Sequence, residues 1–175
     1  MKKFIWIILL MLSITGATAS AEERAYRISV SQFVEHPALD AVRQGFQDYM
    51  AEKQLQVDYS VHNAQGNMAT AGQIAAQVMG ESPDLILAIA TPTSQAMAQA
   101  LKKSPRMQRT PFLFTAVTDP VKAGLVKDLH QPGGNITGVS DLLPVDEHMG
   151  LVRAFFPELK HLGVLYNAGE ANSKA

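Results

Sequence analysis

Three short apolar runs, at 28–30, 85–89 and 112–114, each end in a cluster of small hydroxyl, amide or acidic residues. The clusters read Ser31-Gln32-Phe33-Val34-Glu35-His36-Pro37, Ala90-Thr91-Pro92-Thr93-Ser94-Gln95 and Thr115-Ala116-Val117-Thr118-Asp119-Pro120. Around them the apolar period switches between that of a strand and that of a helix. The pattern predicts a strand over 26–31, then a helix opening at Pro37, a residue suited to a first helical turn. Leu39, Val42, Phe46 and Tyr49 fall on one face of that helix, with Arg43, Asp48 and Glu52 turned outward. Residues 56–62 alternate Val57, Tyr59 and Val61 with polar neighbours, as expected of a strand near a sheet edge.

Asn63-Ala64-Gln65-Gly66-Asn67 turns the chain, and Asn67 is placed to cap a helix carrying Ala71, Ile74, Ala75 and Val78. Five apolar residues in succession at 85–89 predict a strand buried on both faces, the signature of a parallel α/β sheet. Thr93 or Ser94 is expected to cap the next helix, which bears Met97, Ala100 and Leu101, and 112–114 is the next buried strand. The fold class is therefore α/β, with one doubly wound parallel-sheet lobe. In such a sheet the loops after the strands gather outside the carboxyl ends, where ligands bind. The pattern reads as a solute-binding cleft.

The first residues bear on where the protein works. Lys2 and Lys3, an uncharged apolar stretch at 4–12 and the small residues Ala17-Thr18-Ala19-Ser20-Ala21 make a secretory signal peptide, cleaved after Ala21. Ser13, Thr15 and Gly16 end the apolar run short of the roughly 18 residues a membrane span needs. Of the 15 Lys and Arg residues two fall in this leader, leaving 13 against 16 acidic ones. No basic stripe remains, which argues against nucleic acid as a partner. The chain has no cysteine. A disulfide scaffold and a lipid anchor on cysteine are both excluded, so the expected product is a periplasmic protein, not membrane-embedded.

Further blocks carry a resemblance. Ile28-Ser-Val-Ser-Gln32, Glu35-His-Pro-Ala-Leu-Asp40, Asn63-Ala-Gln-Gly66, Pro83-Asp-Leu-Ile86, Ala88-Ile-Ala-Thr-Pro92 and Phe114-Thr-Ala-Val-Thr-Asp-Pro120 occur in order. Ala123-Gly-Leu-Val126, Pro132-Gly-Gly-Asn-Ile-Thr-Gly-Val-Ser-Asp141 and Gly163-Val-Leu-Tyr-Asn167 follow. Together they resemble the substrate-binding proteins of ABC importers, in the subgroup whose members take up tryptophan and other aromatic amino acids. The resemblance implies a periplasmic-binding-protein fold: two α/β lobes joined by crossing strands, closing on a ligand between them. On that template 1–21 is the signal peptide, 22–130 the first lobe, 131–141 the hinge and crossover, and 142–175 an incomplete second lobe. That second lobe would hold a helix over 145–156 and a strand over 162–166. The family continues for about another domain's length, so the chain is expected to be a truncated product or a fragment of a longer one.

An amino-acid ligand presents a carboxylate, an ammonium and a side chain. Backbone N–H groups and hydroxyls at a helix N-terminus suit the carboxylate. Thr91, Thr93 and Ser94 supply that arrangement, although capping of the helix needs no ligand. Asp119 is the candidate for the ammonium, or a turn residue before Pro120; Glu35 is its rival, or a favourable charge beside a helix start. Gln32, Asn63 and Thr115 lie at strand ends and could bond either end of a ligand, or remain solvated in loops. Asn167 is placed to reach across a closing cleft. Phe33 and Tyr166 are the aromatic residues nearest to cleft positions, each also a candidate for the core.

Signs of catalysis are missing from the sequence. It has no G-x-S-x-G elbow, no phosphate loop with lysine, no cysteine nucleophile and no H-E-x-x-H. Neither a metal nor a cofactor is expected. The leading expectation is a non-enzymatic solute-binding component handing an amino acid to a membrane permease. A ligand sensor of the same fold and a truncated, non-binding remnant are the alternatives.

Overall fold

The structure, a computed structural model, describes residues 24–174; the expected signal peptide lies outside the described residues. Five strands form one parallel sheet: β1 (Tyr26–Gln32), β2 (Val57–Asn63), β3 (Leu85–Ile89), β4 (Phe112–Val117) and β5 (Ile136–Ser140). Their order across the sheet is β2-β1-β3-β4-β5. The helices between them are α1 (Pro37–Glu52), α2 (Met68–Glu81) and α3 (Thr91–Lys103), and α4 (Val145–Phe155) follows β5. From β1 the chain steps outward to β2, then returns across β1 to build β3, β4 and β5. That reversal puts a topological switch point between β1 and β3, the place where open α/β sheets leave a crevice.

The apolar periods translate into two layers. Ile86, Ala88, Phe112 and Phe114 pack with Ile74, Val78, Met97 and Leu101 of α2 and α3 on one face of the sheet. Ile28, Val30, Leu87 and Ile89 pack beneath Leu39 and Phe46 of α1 on the other. Val30, Ile86, Ile89 and Phe112 are fully enclosed, each contributing about 1.5–3 kcal/mol relative to exposure. α1 covers its face alone and has no fully buried residue, whereas α2 and α3 share theirs and bury eleven positions between them.

Local signals explain the element ends. Asn67 caps α2 as expected, its Oδ1 accepting from the N–H groups of Ala69 at 2.8 Å and Thr70 at 3.0 Å. Pro37 occupies the first turn of α1, capped by His36 Nδ1, which accepts from the Ala38 N–H at 3.2 Å. α3 departs from expectation. Thr93 and Ser94 are not its caps but lie inside its first turn, and Ala90 takes the N-cap position without a side-chain bond. The hydroxyls that resemble caps instead donate backward to carbonyls in the preceding turn.

β4 runs three residues past its apolar core and bulges, with its pairing to β5 shifting between Phe114 and Val117 and Ala116 at φ 53°. β5 approaches β4 so closely that a Cβ on Gly138 would overlap the Phe114 carbonyl group. The run at 162–166, expected as a strand, is not one: it is exposed and pairs with no described strand. An apolar run becomes a strand only when a neighbour takes its backbone hydrogen bonds, and no described segment does so.

Candidate functional site

Register brings the expected strand-end residues into one row. Asn63 pairs with Gln32, Gln32 with Ile89, and Ile89 with Thr115. At about 4.8 Å per strand the row spans about 14 Å along the carboxyl edge of the sheet. It crosses the switch point between β1 and β3, and α3 opens directly behind it.

Two residues of the row are engaged in holding their own loops. Gln32 is buried, and its Nε2 donates to Val34 O at 2.9 Å and Asp40 Oδ1 at 2.8 Å, fastening the β1–α1 loop to the start of α1. Asn63 Oδ1 accepts from the Gln65 N–H at 2.8 Å, an Asx turn leading towards α2. Thr115 is half-buried, and its carbonyl accepts from the Ala90 N–H at 2.9 Å. Glu35 is exposed in the β1–α1 loop. Asp119 is half-buried, with Oδ1 accepting from the N–H groups of Val121 at 3.1 Å and Lys122 at 2.9 Å. Its Oδ2 lies 3.6 Å from Lys122 Nζ, so the carboxylate already has partners in its own turn.

The start of α3 differs from these loops. Thr93 Oγ1 shares its proton between Ile89 O at 2.7 Å and Ala90 O at 3.1 Å, and Ser94 Oγ donates to Ala90 O at 2.8 Å. Thr91 Oγ1 is buried and has no hydrogen-bond partner among the described residues. The N–H groups of Thr91 and Thr93 make no backbone hydrogen bond there either. Free donors, a positive helix end and an orphaned hydroxyl are chemistry that favours an anion. A buried hydroxyl left alone costs about 1–3 kcal/mol.

Further polar groups near this edge were not picked out by the sequence. Ser31, the penultimate residue of β1, is buried with its Oγ unpartnered. It sits beside His62 in register, and His62 Nε2 lies 3.0 Å from Glu81 Oε1. Glu81 also accepts from Ser29 Oγ at 2.6 Å and Gln77 Nε2 at 3.2 Å. Burial pushes the Glu81 carboxyl up, but the Ser29 hydroxyl, the His62 charge and these bonds together hold it below the ordinary value. The signal for Ser31 was available, since a serine between Ser29 and Phe33 points to the same buried face.

Beyond β5, Asn167 is exposed and bonded within its own turn: Oδ1 accepts from the Gly169 N–H at 3.0 Å and Nδ2 donates to Glu170 Oε1 at 2.8 Å. The short 3₁₀ turn Ala171–Lys174 packs against α3. Asn172 within it has a buried Oδ1 without a partner. Asn172 is thus the residue of this segment with an unused buried polar atom, whereas Asn167 was the one expected to contact a ligand.

Elsewhere, a groove of about 560 Å³ runs between α2 and α3, lined in part by Met68, Gly72, Ala76, Gln95 and Lys103; it contains none of the expected ligand residues. Among the described residues no cluster of His, Asp and Glu could hold a metal ion, and no helix is long and apolar enough to cross a membrane.

Comparison with known proteins agrees with this architecture. A tyrosine-binding protein of Clostridioides difficile is 41% identical over 171 residues, covering 91% of this chain and 47% of that protein. The crystal structure of a conserved domain protein from Vibrio cholerae superposes with a TM-score of 0.81 at 48% identity, over 86% of this chain and 50% of the other. The structure of an ABC domain from Streptococcus pneumoniae in complex with L-Trp gives 0.79 at 39% identity, with the same coverage. The chain spans about half the length of each of these proteins. The fold is that of one lobe of a periplasmic-binding-protein-like structure. Residues 27–175 match the family model described as ABC transporter substrate binding protein, and the chain belongs to that family.

Proposed function

We propose that the protein is the solute-binding component of an ABC importer and takes an amino acid, aromatic in its side chain, in a cleft closed by a second lobe. The observation that carries this reading is the start of α3, where Thr91 Oγ1 is buried without a partner beside unbonded N–H groups. An amino-acid carboxylate supplies the charge and acceptors those groups lack. The tyrosine-binding relative and the L-Trp complex support the choice of side chain. The ammonium falls to Asp119 or Glu35, with Gln32, Asn63 and Thr115 shaping the row and Thr93 and Ser94 holding the turn. Asn167 and its neighbours face the ligand from the other lobe. Export by the N-terminal signal peptide delivers the protein to the periplasm, where the permease is its partner.

The test is a thermal melt of the full chain, alone and with each L-amino acid at millimolar concentration. A ligand that binds only the folded state raises the melting temperature. A cooperative transition raised by L-tryptophan or L-tyrosine, and not by L-aspartate or L-lysine, is the expected result. A transition that no amino acid moves counts against the reading.

A further inference from the structure

Ala90 has φ 86° and ψ 155°, a region that residues other than glycine occupy only when surrounding structure over-determines them. Each polar backbone atom of the residue is held. Its N–H donates to Thr115 O at 2.9 Å, tying the turn to β4. Its carbonyl accepts from the Ser94 N–H at 3.1 Å, from Ser94 Oγ at 2.8 Å and from Thr93 Oγ1 at 3.1 Å. Four hydrogen bonds from three residues therefore keep one alanine in a conformation its side chain opposes.

The consequence falls on the next residues. With Ala90 in this state α3 begins at once, at Thr91, on the end of β3 and beside the switch point. Thr91 Oγ1, on a residue 2% exposed, is left with no partner, and that orphaned hydroxyl points independently to a ligand. We infer that Ala90 is a positioning residue, whose strained and clamped backbone pre-aims the Thr91 hydroxyl and the Thr91 and Thr93 amides at the carboxylate of the solute. The inference rests on the amino-acid-binding reading above. Glycine at this position would adopt the same dihedral angles without strain, but would also let the turn visit others. Alanine, once clamped, narrows the turn to one geometry, and a pre-organised site binds more tightly than a mobile one.

The experiment is Ala90→Gly in the full chain, measured by ligand-free melting and by calorimetric titration with L-tryptophan. Relief of strain exceeds the entropy that glycine adds to the unfolded chain, so the melting temperature is expected to rise by about 3–6 °C. Affinity for L-tryptophan is expected to fall about five- to tenfold. The opposite signs matter, because a residue that merely supports the fold moves both quantities the same way. A lowered or unchanged melting temperature overturns the strain. Unchanged or tighter binding by the variant, beside a wild type that binds, overturns the positioning role alone. A wild type that binds neither L-tryptophan nor L-tyrosine overturns the binding reading and the positioning role with it, while the ligand-free melt still decides the strain.

Discussion

The two ends of the sheet use their polar groups in opposite ways. At the amino edge, Asp84 accepts from Arg24 Nη2 at 2.8 Å and from the Arg27 N–H at 2.9 Å. Arg27 Nη2 donates to Ser82 O at 2.7 Å, and Arg106 donates to Ser82 Oγ. None of these groups is an orphan among the described residues. At the carboxyl edge Ser31 and Thr91 are buried with idle hydroxyls. The contrast separates two duties of one sheet. The amino edge joins strands and loops into the fold, while the carboxyl edge keeps these two hydroxyls unbonded at a cost in stability.

The largest effect should come from the strand that frames the carboxyl edge beyond the bulge. Gly138 lies against the Phe114 carbonyl with no room for a Cβ. Gly138→Ala must push β5 away from β4 and disturb the bulge that carries Ala116. The expected loss is about 3 kcal/mol or more, or roughly 10 °C in melting temperature. A substitution here that leaves the melt within about 2 °C of wild type would mean that the β4–β5 approach is not tight and the frame not rigid.

A smaller effect, with a pH signature, is expected from the cluster linking β1, β2 and α2. Glu81→Gln keeps the shape but removes the charge that Ser29 and His62 address at 2.6 and 3.0 Å, and is expected to cost about 1–2 kcal/mol at pH 7. The sign with pH follows from linkage. The folded-state pKa of Glu81 lies below its ordinary 4.5, so its contribution is fully present above that value and lost as pH falls through the folded pKa. Asp84 behaves alike: the Arg27 N–H holds its carboxyl below the ordinary 3.8, with Arg24 and Arg27 adding to the effect. Wild type should therefore lose stability from about pH 4.5 downward, while the gap between it and Glu81→Gln closes. Melts of both at pH 7 and pH 3 check this, and a gap that widens in acid would remove Glu81 from the network.

These tests also mark how far the sequence reaches. Strand and helix alternation is legible because the apolar period records which side each element buries, and Asn67 is legible because capping chemistry is local. The start of α3 is not. Thr93 and Ser94 have the chemistry of caps, and no pattern announces that an alanine will take a left-sided backbone one turn earlier. The run at 162–166 has strand composition, but a strand is a property of two chains and the run meets no described partner. For the site, counting to strand ends finds the row of Asn63, Gln32 and Thr115. Composition does not reveal that Gln32, Asn63, Asp119 and Asn167 already bond to their own loops.

The sharpest test of the contrast between the edges is the one with the least effect on stability. Thr91→Val keeps the β-branched shape inside the first turn of α3 and removes only a hydroxyl that bonds to nothing described. Replacing an unsatisfied buried polar group by a methyl group relieves desolvation and breaks no bond. The melt should stay level or rise by about 2 °C. Binding should respond quite differently. A hydroxyl donating to a carboxylate contributes about 1.5–3 kcal/mol, so affinity for L-tryptophan should fall at least about tenfold. A variant that instead melts several degrees lower, with binding intact, would show that Thr91 Oγ1 serves the fold. The contrast between the edges would then rest on Ser31 alone, and the receptor for the carboxylate would have to be sought at Ser31 or Asn172.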